Sequence, residues 1–243
     1  MIDSIRGMEA TGQEINCDGE QRSLNFAIYP LLDASGSAAA ENLEAGGLVL
    51  RTFADGRVHQ LPRLTRGPFR YKTFAADYLA RSKPHFTGHF KAEVVAPSLL
   101  WLLYPLDGEI AGYPRAQFEA DLVEQCEHDI RRCFALGATN VCIRFTEGCV
   151  ACLNDTSNEW TCRQLLPYLV HLNNRLLQRF APEHRRHIGV HVGALCDGDY
   201  AHSIHLEYAA LLPHLFDLDA GYFLVQVQRF FRCDRVPRCC SSQ

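Results

Sequence analysis

The chain has 243 residues, a length at which one (β/α)8 barrel or one to two smaller domains closes. Hydrophobic residues make up 47% and charged residues 21%, an ordinary globular balance that excludes wholesale disorder. Twenty-four basic side chains against 28 acidic ones leave a net charge of −4, without the basic excess that nucleic acid or a membrane surface asks for. No apolar run reaches the ~20 residues of a membrane span. The opening stretch MIDSIRGMEATGQEINCDGE lacks the apolar core of a secretory leader, so a cytoplasmic chain is expected.

Eleven cysteines are many for such a chain, yet they are odd in number and lack framework spacing. Cys126 and Cys133 fall on the apolar face of a helical pattern and Cys142 inside a strand pattern, so they read as reduced core residues. Cys149-Val-Ala-Cys152 is a lone C-x-x-C with no second pair at zinc spacing.

In chain order, strand character first appears at Gln13-Glu-Ile-Asn-Cys-Asp18. A Ser/Ala/Gly/Glu-rich stretch over 34–47 reads as a loop. Residues 47–61 carry alternating apolar positions about Asp55-Gly56, which predicts a β-hairpin. Residues 62–90 are basic and aromatic and read as a solvated connector, or alternatively as an insertion covering a ligand. A strand at 91–96 follows and stops at Pro97. Residues 115–136 place Phe118, Leu122, Cys126, Ile130 and Cys133 on one helical face, with Gly137 as the stop signal. The pattern then gives a strand at 140–145, a helix at 163–180, a strand at 187–192, a helix at 205–216 and a strand at 221–226. Residues 227–243 have neither period and form an irregular tail.

Repeated βα units with apolar strands predict a parallel sheet covered by helices. There is no G-x-G-x-x-G and no G-K-[ST] for a nucleotide phosphate. In such architectures reactive groups lie just beyond strand C-termini. That rule selects Asp18 and Glu20 after the first strand, Thr146 and Glu147 after the 140–145 strand, and His191 at the end of its own strand. Asp197, Asp199, Tyr200, His202 and Ser203 follow in the next loop. Each has a plainer role: Asp18-Gly19 is turn chemistry, Glu147 can cap a loop, His191 can be a satisfied core histidine, and Asp197, Asp199, His202 and Ser203 can belong to a solvated loop and a helix cap. The spacing of these carboxylates and histidines suits an acid/base group or a metal cluster and does not choose between them.

Several stretches are familiar together: Cys17-Asp-Gly-Glu-Gln21, the run from Phe53-Ala-Asp-Gly56 to Gly67-Pro-Phe-Arg70, Asp129-Ile-Arg-Arg-Cys133, Phe145-Thr-Glu-Gly148, Leu172-Asn-Asn-Arg175 and Ile188-Gly-Val-His191. Over residues 10–226 they resemble the uroporphyrinogen decarboxylase and cobalamin-independent methionine synthase superfamily. The nearest likeness is to short fungal members of secondary metabolism, including quinolone epoxide rearrangement proteins.

The resemblance implies one methionine-synthase-like TIM barrel over 1–243, here with about five of its eight strands. Relatives would add a strand before residue 10 and two after 226, and the open edge invites a homodimer. Where relatives read H-T-C-P-G-G-D-x-D-S-x-H-S, this chain keeps His191, Asp197, Asp199, His202 and Ser203. It has Gly193 in place of the cysteine and Tyr200 in place of a serine. That cysteine and His191 would be zinc ligands in methionine synthase, so Gly193 argues against zinc; Cys196 would need a different loop path. No cofactor is expected. Arg144 stands where relatives place an acidic residue, which argues against amino-acid binding of the methionine synthase kind.

The resemblance thus implies an isomerase-type enzyme of alkaloid biosynthesis that opens and rearranges an epoxide on a prenylated quinolone. Glu147 or Asp197 would donate the proton with His191 as partner. Glu20 and Asp18 would stabilise the cation, and Arg144, Asp199, Tyr200 and His202 would bind substrate. The alternatives are a methionine-synthase-like methyltransferase, with zinc rebuilt through Cys196 or Cys149 and Cys152, and a non-catalytic barrel remnant.

Overall fold

The computed structural model describes residues 1–23, 25–33, 41–50, 58–152, 160–193 and 208–225. The chain begins with helix α1 (Ile2–Ala10) and a two-residue strand β1 (Ile15–Asn16), then a 3-10 segment, Phe26–Leu31. Four short strands follow: β2 (Leu43–Glu44), β3 (Val49–Leu50), β4 (His59–Gln60) and β5 (Arg63–Leu64). β3 and β4 pair antiparallel, Val49 with Gln60, as the hairpin pattern predicts; its Asp55-Gly56 tip lies outside the described residues. β2 pairs antiparallel with β5, Leu43 with Leu64, so strand structure begins inside the stretch read as a loop.

Residues 62–90 are not a solvated connector. They include helix α2 (Ala75–Ser82) and a 3-10 turn, Lys83–His85. Leu64, Phe69, Tyr71, Ala75, Ala76 and Leu79 are all buried. Arg63 and Arg66 project outward to Glu44 and Glu41, while Leu64, Phe69 and Tyr71 turn inward. Phe69 packs edge-on against both Tyr71 and Phe118. The Tyr113 hydroxyl accepts from the Phe69 N–H (2.9 Å) and donates to Asp121 (2.6 Å).

From residue 89 the chain alternates strand and helix. β6 (His89–Val95) is followed by α3 (Pro97–Trp101) and the long α4 (Arg115–Ala135). Then come β7 (Asn140–Arg144), α5 (Thr146–Ala151), a 3-10 turn over Thr161–Arg163, and α6 (Leu166–Leu177). The last described elements are α7 (Pro182–Arg185), β8 (Ile188–Val192), α8 (Tyr208–Phe216) and β9 (Tyr222–Val225). α4 ends as predicted. Gly137 takes φ +96°, its N–H bonds Phe134 O (2.8 Å), and the next N–H, of Ala138, bonds Cys133 O (3.2 Å). That is the double closure of a Schellman motif. The helix predicted from 163 starts three residues late, because Gln164 is left-handed (φ +51°) and Pro167 opens a new first turn.

The five strands β1, β6, β7, β8 and β9 lie side by side in that order, all parallel, as one curled half-barrel sheet. Val141, Ile143, Ile188, Val190 and Val192 share one face and are fully buried with Phe118, Leu122, Ile130, Leu169, Leu172 and Leu176 of α4 and α6. Period two sends Lys91 and Glu93, Cys142 and Arg144, Gly189 and His191 to the opposite face. Cys126, Cys133 and Cys142 are buried free thiols within the core.

One buried carboxylate ties the N-terminal third to this frame. Asp129 of α4 accepts from the Tyr29 hydroxyl (2.7 Å) and from the Ala75 and Ala76 N–H groups (3.0 and 3.2 Å). It thereby satisfies the open N-terminus of α2. The motif around Asp129 thus has a structural role. Asp129→Ala leaves three buried donors unmet and is expected to lower unfolding free energy by about 3 kcal/mol, read as a lower urea midpoint.

A charge cluster at the mouth of the half-barrel

Strand register explains which side chains meet. Glu93, Cys142, Gly189 and Tyr222 are lateral neighbours in one row; Val95, Arg144, His191 and Leu224 form the next row toward the strand ends. Cys142 and Gly189 are small, which leaves room beside Glu93 for Arg144 and His191 to reach back to it. At Gly189 this space is needed: a Cβ there would stand 2.2 Å from the Tyr222 ring.

Glu93 is the hub, with its side chain only 3% exposed. One oxygen takes Lys91 Nζ at 3.1 Å. The other takes Arg144 Nη2 at 2.7 Å and Nε at 3.1 Å, and His191 Nδ1 at 3.3 Å. Burial alone would raise its pKa, but the His191 hydrogen bond and the Arg144 and Lys91 charges hold it well below the usual carboxylate range. Lys91 is in turn pushed up: burial opposes its charge, and Glu93, with Cys142 and Cys17, together outweigh it.

Arg144 also bonds Glu20 (3.1 Å) and lies 4.9 Å from the centre of the Phe26 ring. Glu20 sits on a tight turn after β1. Gly19 (φ +67°) and Glu20 (φ +54°) are both left-handed, and the Glu20 N–H donates to Asp18 Oδ1 at 3.0 Å. The turn role foreseen for Asp18 and its place at the site therefore coexist. Burial, then the negative Glu93, lift the Glu20 carboxyl to about 7, with Arg144 opposing. Glu20 and Glu93 share Arg144, yet burial beside unequal partners drives their protonation in opposite directions.

Between this cluster and α2 lies a small cleft partly open to solvent. Asp18, Glu20, Lys91 and Glu93 form its polar wall, and Phe26, Tyr29, Tyr78 and Leu79 its apolar wall. Among the predicted residues, Asp18 and Glu20 line the cleft, while Arg144 and His191 join the cluster through Glu93. Sequence reasoning missed Lys91 and Glu93, although two charges at i and i+2 in an apolar strand were a usable signal. Asp197, Asp199, Tyr200, His202, Ser203 and Cys196 lie outside the described residues.

Glu147 does not join the cluster. The chain turns into α5 directly after β7, which carries Glu147 into the helix layer, fully buried. Its partner is Ser98, whose Oγ also lies 3.0 Å from Asn173 Oδ1; His191 is held by Glu93 instead. The pairing of Glu147 with His191 as donor and partner is therefore corrected. Burial, opposed by the Ser98 hydrogen bond, raises Glu147 to about 8. A neutral Glu147 can donate to Ser98 Oγ, which donates onward to Asn173. Glu147 Oε2, Asn173 Nδ2 and Thr146 Oγ1 have no partner among the described residues. Cys149 in the same helix and Cys152 just after its end are thiols raised by burial, Cys152 to about 11, which is not the electropositive setting of a reactive C-x-x-C.

The zinc site of methionine synthase does not fit these residues. His191 turns Nδ1 to Glu93, Gly193 offers no donor where the cysteine would stand, and no three His, Cys, Asp or Glu side chains among the described residues could hold a metal. No helix among them is long and apolar enough to cross a membrane.

No protein-family model and no curated protein matches the sequence. Solved structures do match. One is a B12-independent methionine synthase from Shewanella sp. W3-18-1 in complex with selenomethionine, at a TM-score of 0.51 and 12% identity, covering 78% of this chain. The match takes in 49% of that protein, so the chain spans about half its length. The likeness is one of fold, to a TIM-barrel protein.

Glu147 gives a pH-dependent stability with a definite sign. It keeps its proton to about pH 8 when folded, whereas the unfolded chain releases it near the ordinary value of 4.5. Stability therefore falls as pH rises through that window, at most by about 1.4 kcal/mol per pH unit. Glu147→Gln is expected to match the native chain at pH 4.5 and to gain on it up to pH 8, measured by urea unfolding across pH.

Proposed function

We propose that the chain is a small-molecule enzyme in which Glu20 delivers a proton to a neutral oxygen of a substrate seated in the cleft. The supporting observation is Glu20 itself: a carboxyl on the cleft wall, tethered to Arg144 at 3.1 Å and raised to about 7 by burial and by Glu93. Such a group is a competent donor at neutral pH and a competent acceptor immediately afterwards.

The reaction this suits is the opening of an epoxide, whose neutral ring oxygen can take the proton. Glu20 protonates the ring oxygen and the C–O bond breaks with its electron pair on oxygen. The carbon left positive lies among the carboxylates of Asp18 and Glu93 and the faces of Phe26 and Tyr78. Loss of a proton from the neighbouring carbon, to His191 or back to Glu20, completes an isomerisation without a co-reactant. Glu20 replaces Glu147 as the donor, because Glu147 is enclosed with Ser98 and Asn173.

A second reading, methyl transfer, is favoured by the fold likeness to a methionine synthase. It would need a thiolate-activating site that the described residues do not provide.

The two readings separate in one assay. The protein is incubated with epoxide-bearing prenylated quinolones and, in parallel, with homocysteine and methyltetrahydrofolate, and products are resolved by mass spectrometry. Isomerised epoxide is expected, with Glu20→Gln slowing it about 100-fold or more and Glu147→Gln leaving it within a few-fold. Unchanged epoxide, or a Glu20→Gln protein as fast as the native one, would overturn the proposal. Methionine formation would establish the second reading.

A further inference from the structure

We infer that Glu93 is a positioning residue: it holds the His191 ring with Nδ1–H directed at its own carboxylate and presents Nε2 bare, as the proton acceptor of the site. This deepens the acid/base reading above by dividing the labour between Glu20 as donor and His191 as acceptor.

The argument is one of hydrogen-bond inventory. An ionised carboxylate can only accept, and a neutral imidazole carries one donor and one acceptor nitrogen. Glu93 is buried between Lys91 Nζ (3.1 Å) and Arg144 Nη2 (2.7 Å), two cations that keep it ionised. The ring nitrogen facing it, Nδ1 at 3.3 Å, must then carry the hydrogen. In the neutral ring Nε2 is left with its lone pair, and the side chain is 26% exposed beside the cleft wall that Glu93 forms. The backbone allows little alternative. His191 is fixed in β8, with its carbonyl accepting from the Phe145 N–H at 2.9 Å, so only the side-chain torsions remain, and Glu93 sets them. A carboxylate that orients an imidazole and selects its tautomer recurs wherever histidine works as a base.

Long-range 1H–15N NMR on the intact protein, above the titration of the imidazoles, reads the tautomer directly and needs no substrate. His191 is assigned by its disappearance in His191→Gln. The native protein is expected to show Nδ1 protonated and Nε2 bare; the reverse tautomer would overturn the inference. Glu93→Ala removes the acceptor and is expected to move His191 to the Nε2–H form that imidazole prefers in water. Should that variant not fold, Glu93→Asp keeps the charge between Lys91 and Arg144 but withdraws the acceptor by one methylene. It is expected to give about half or more of the Nε2–H form. A His191 tautomer unchanged in the folded variant would remove Glu93 as its cause. Failure of the epoxide assay with the native tautomer as inferred would sink the reaction and leave the positioning role standing.

Discussion

A carboxylate cannot stay ionised inside a protein unless cations and donors close around it, and the cost of leaving one alone is several kcal/mol. Glu93 meets that requirement with groups from three adjacent strands: Lys91 on its own strand, Arg144 on the next and His191 on the one after. Neutralisation and register therefore depend on each other. A one-residue slip of β7 or β8 would send Arg144 or His191 to the helix-covered face and leave Glu93 buried without them. The same slip would bring Ile143 or Val190 to the charged side, so packing and electrostatics select the same alignment.

Three other carboxyls show how neighbours decide the outcome of a common cause. Burial raises each of them. Asp129 accepts three hydrogen bonds, which limit the rise to about 6, within reach of a structural anion. Glu20 has an arginine on one side and Glu93 on the other, and comes to rest near neutrality. Glu147 has only neutral partners and is lifted furthest, to about 8. Of the three, only Glu20 lines the cleft; Asp129 and Glu147 are enclosed by the chain.

Much of the frame was legible because the physics behind it is local. Period two marked β6, β7, β8 and β9, period 3.6 marked α4 and α6, and Gly137 marked the end of α4. Strand-end reasoning selected Asp18, Glu20 and His191, and the resemblance added Arg144. The strand-end rule failed at Glu147 because it assumes a loop after the strand, whereas α5 begins at Thr146 and rotates the next residue away from the mouth. It overlooked Glu93 because a mid-strand charge is conspicuous only once register supplies its partners. The 62–90 segment was misread for the same reason: its arginines are visible in the sequence, while the pairing that turns its aromatic residues inward, Phe69 with Phe118 and Tyr113, spans some 44 to 49 positions.

β1 contributes only Ile15 and Asn16 to the sheet, after which the chain leaves and crosses in front of β6. The cleft therefore has two walls of separate origin. One is the charged face of the sheet, bound by register and by mutual neutralisation. The other comes from Phe26 and Tyr29 of a 3-10 segment and Tyr78 and Leu79 of α2, which answer to neither constraint. Tyr29 is tied to Asp129, but Phe26 and Tyr78 are only half-buried, so shape and polarity on that second wall can drift there while the charged groups stay in place. A mouth built in this way can change the shape of its cleft without disturbing the charges that set the register of the sheet.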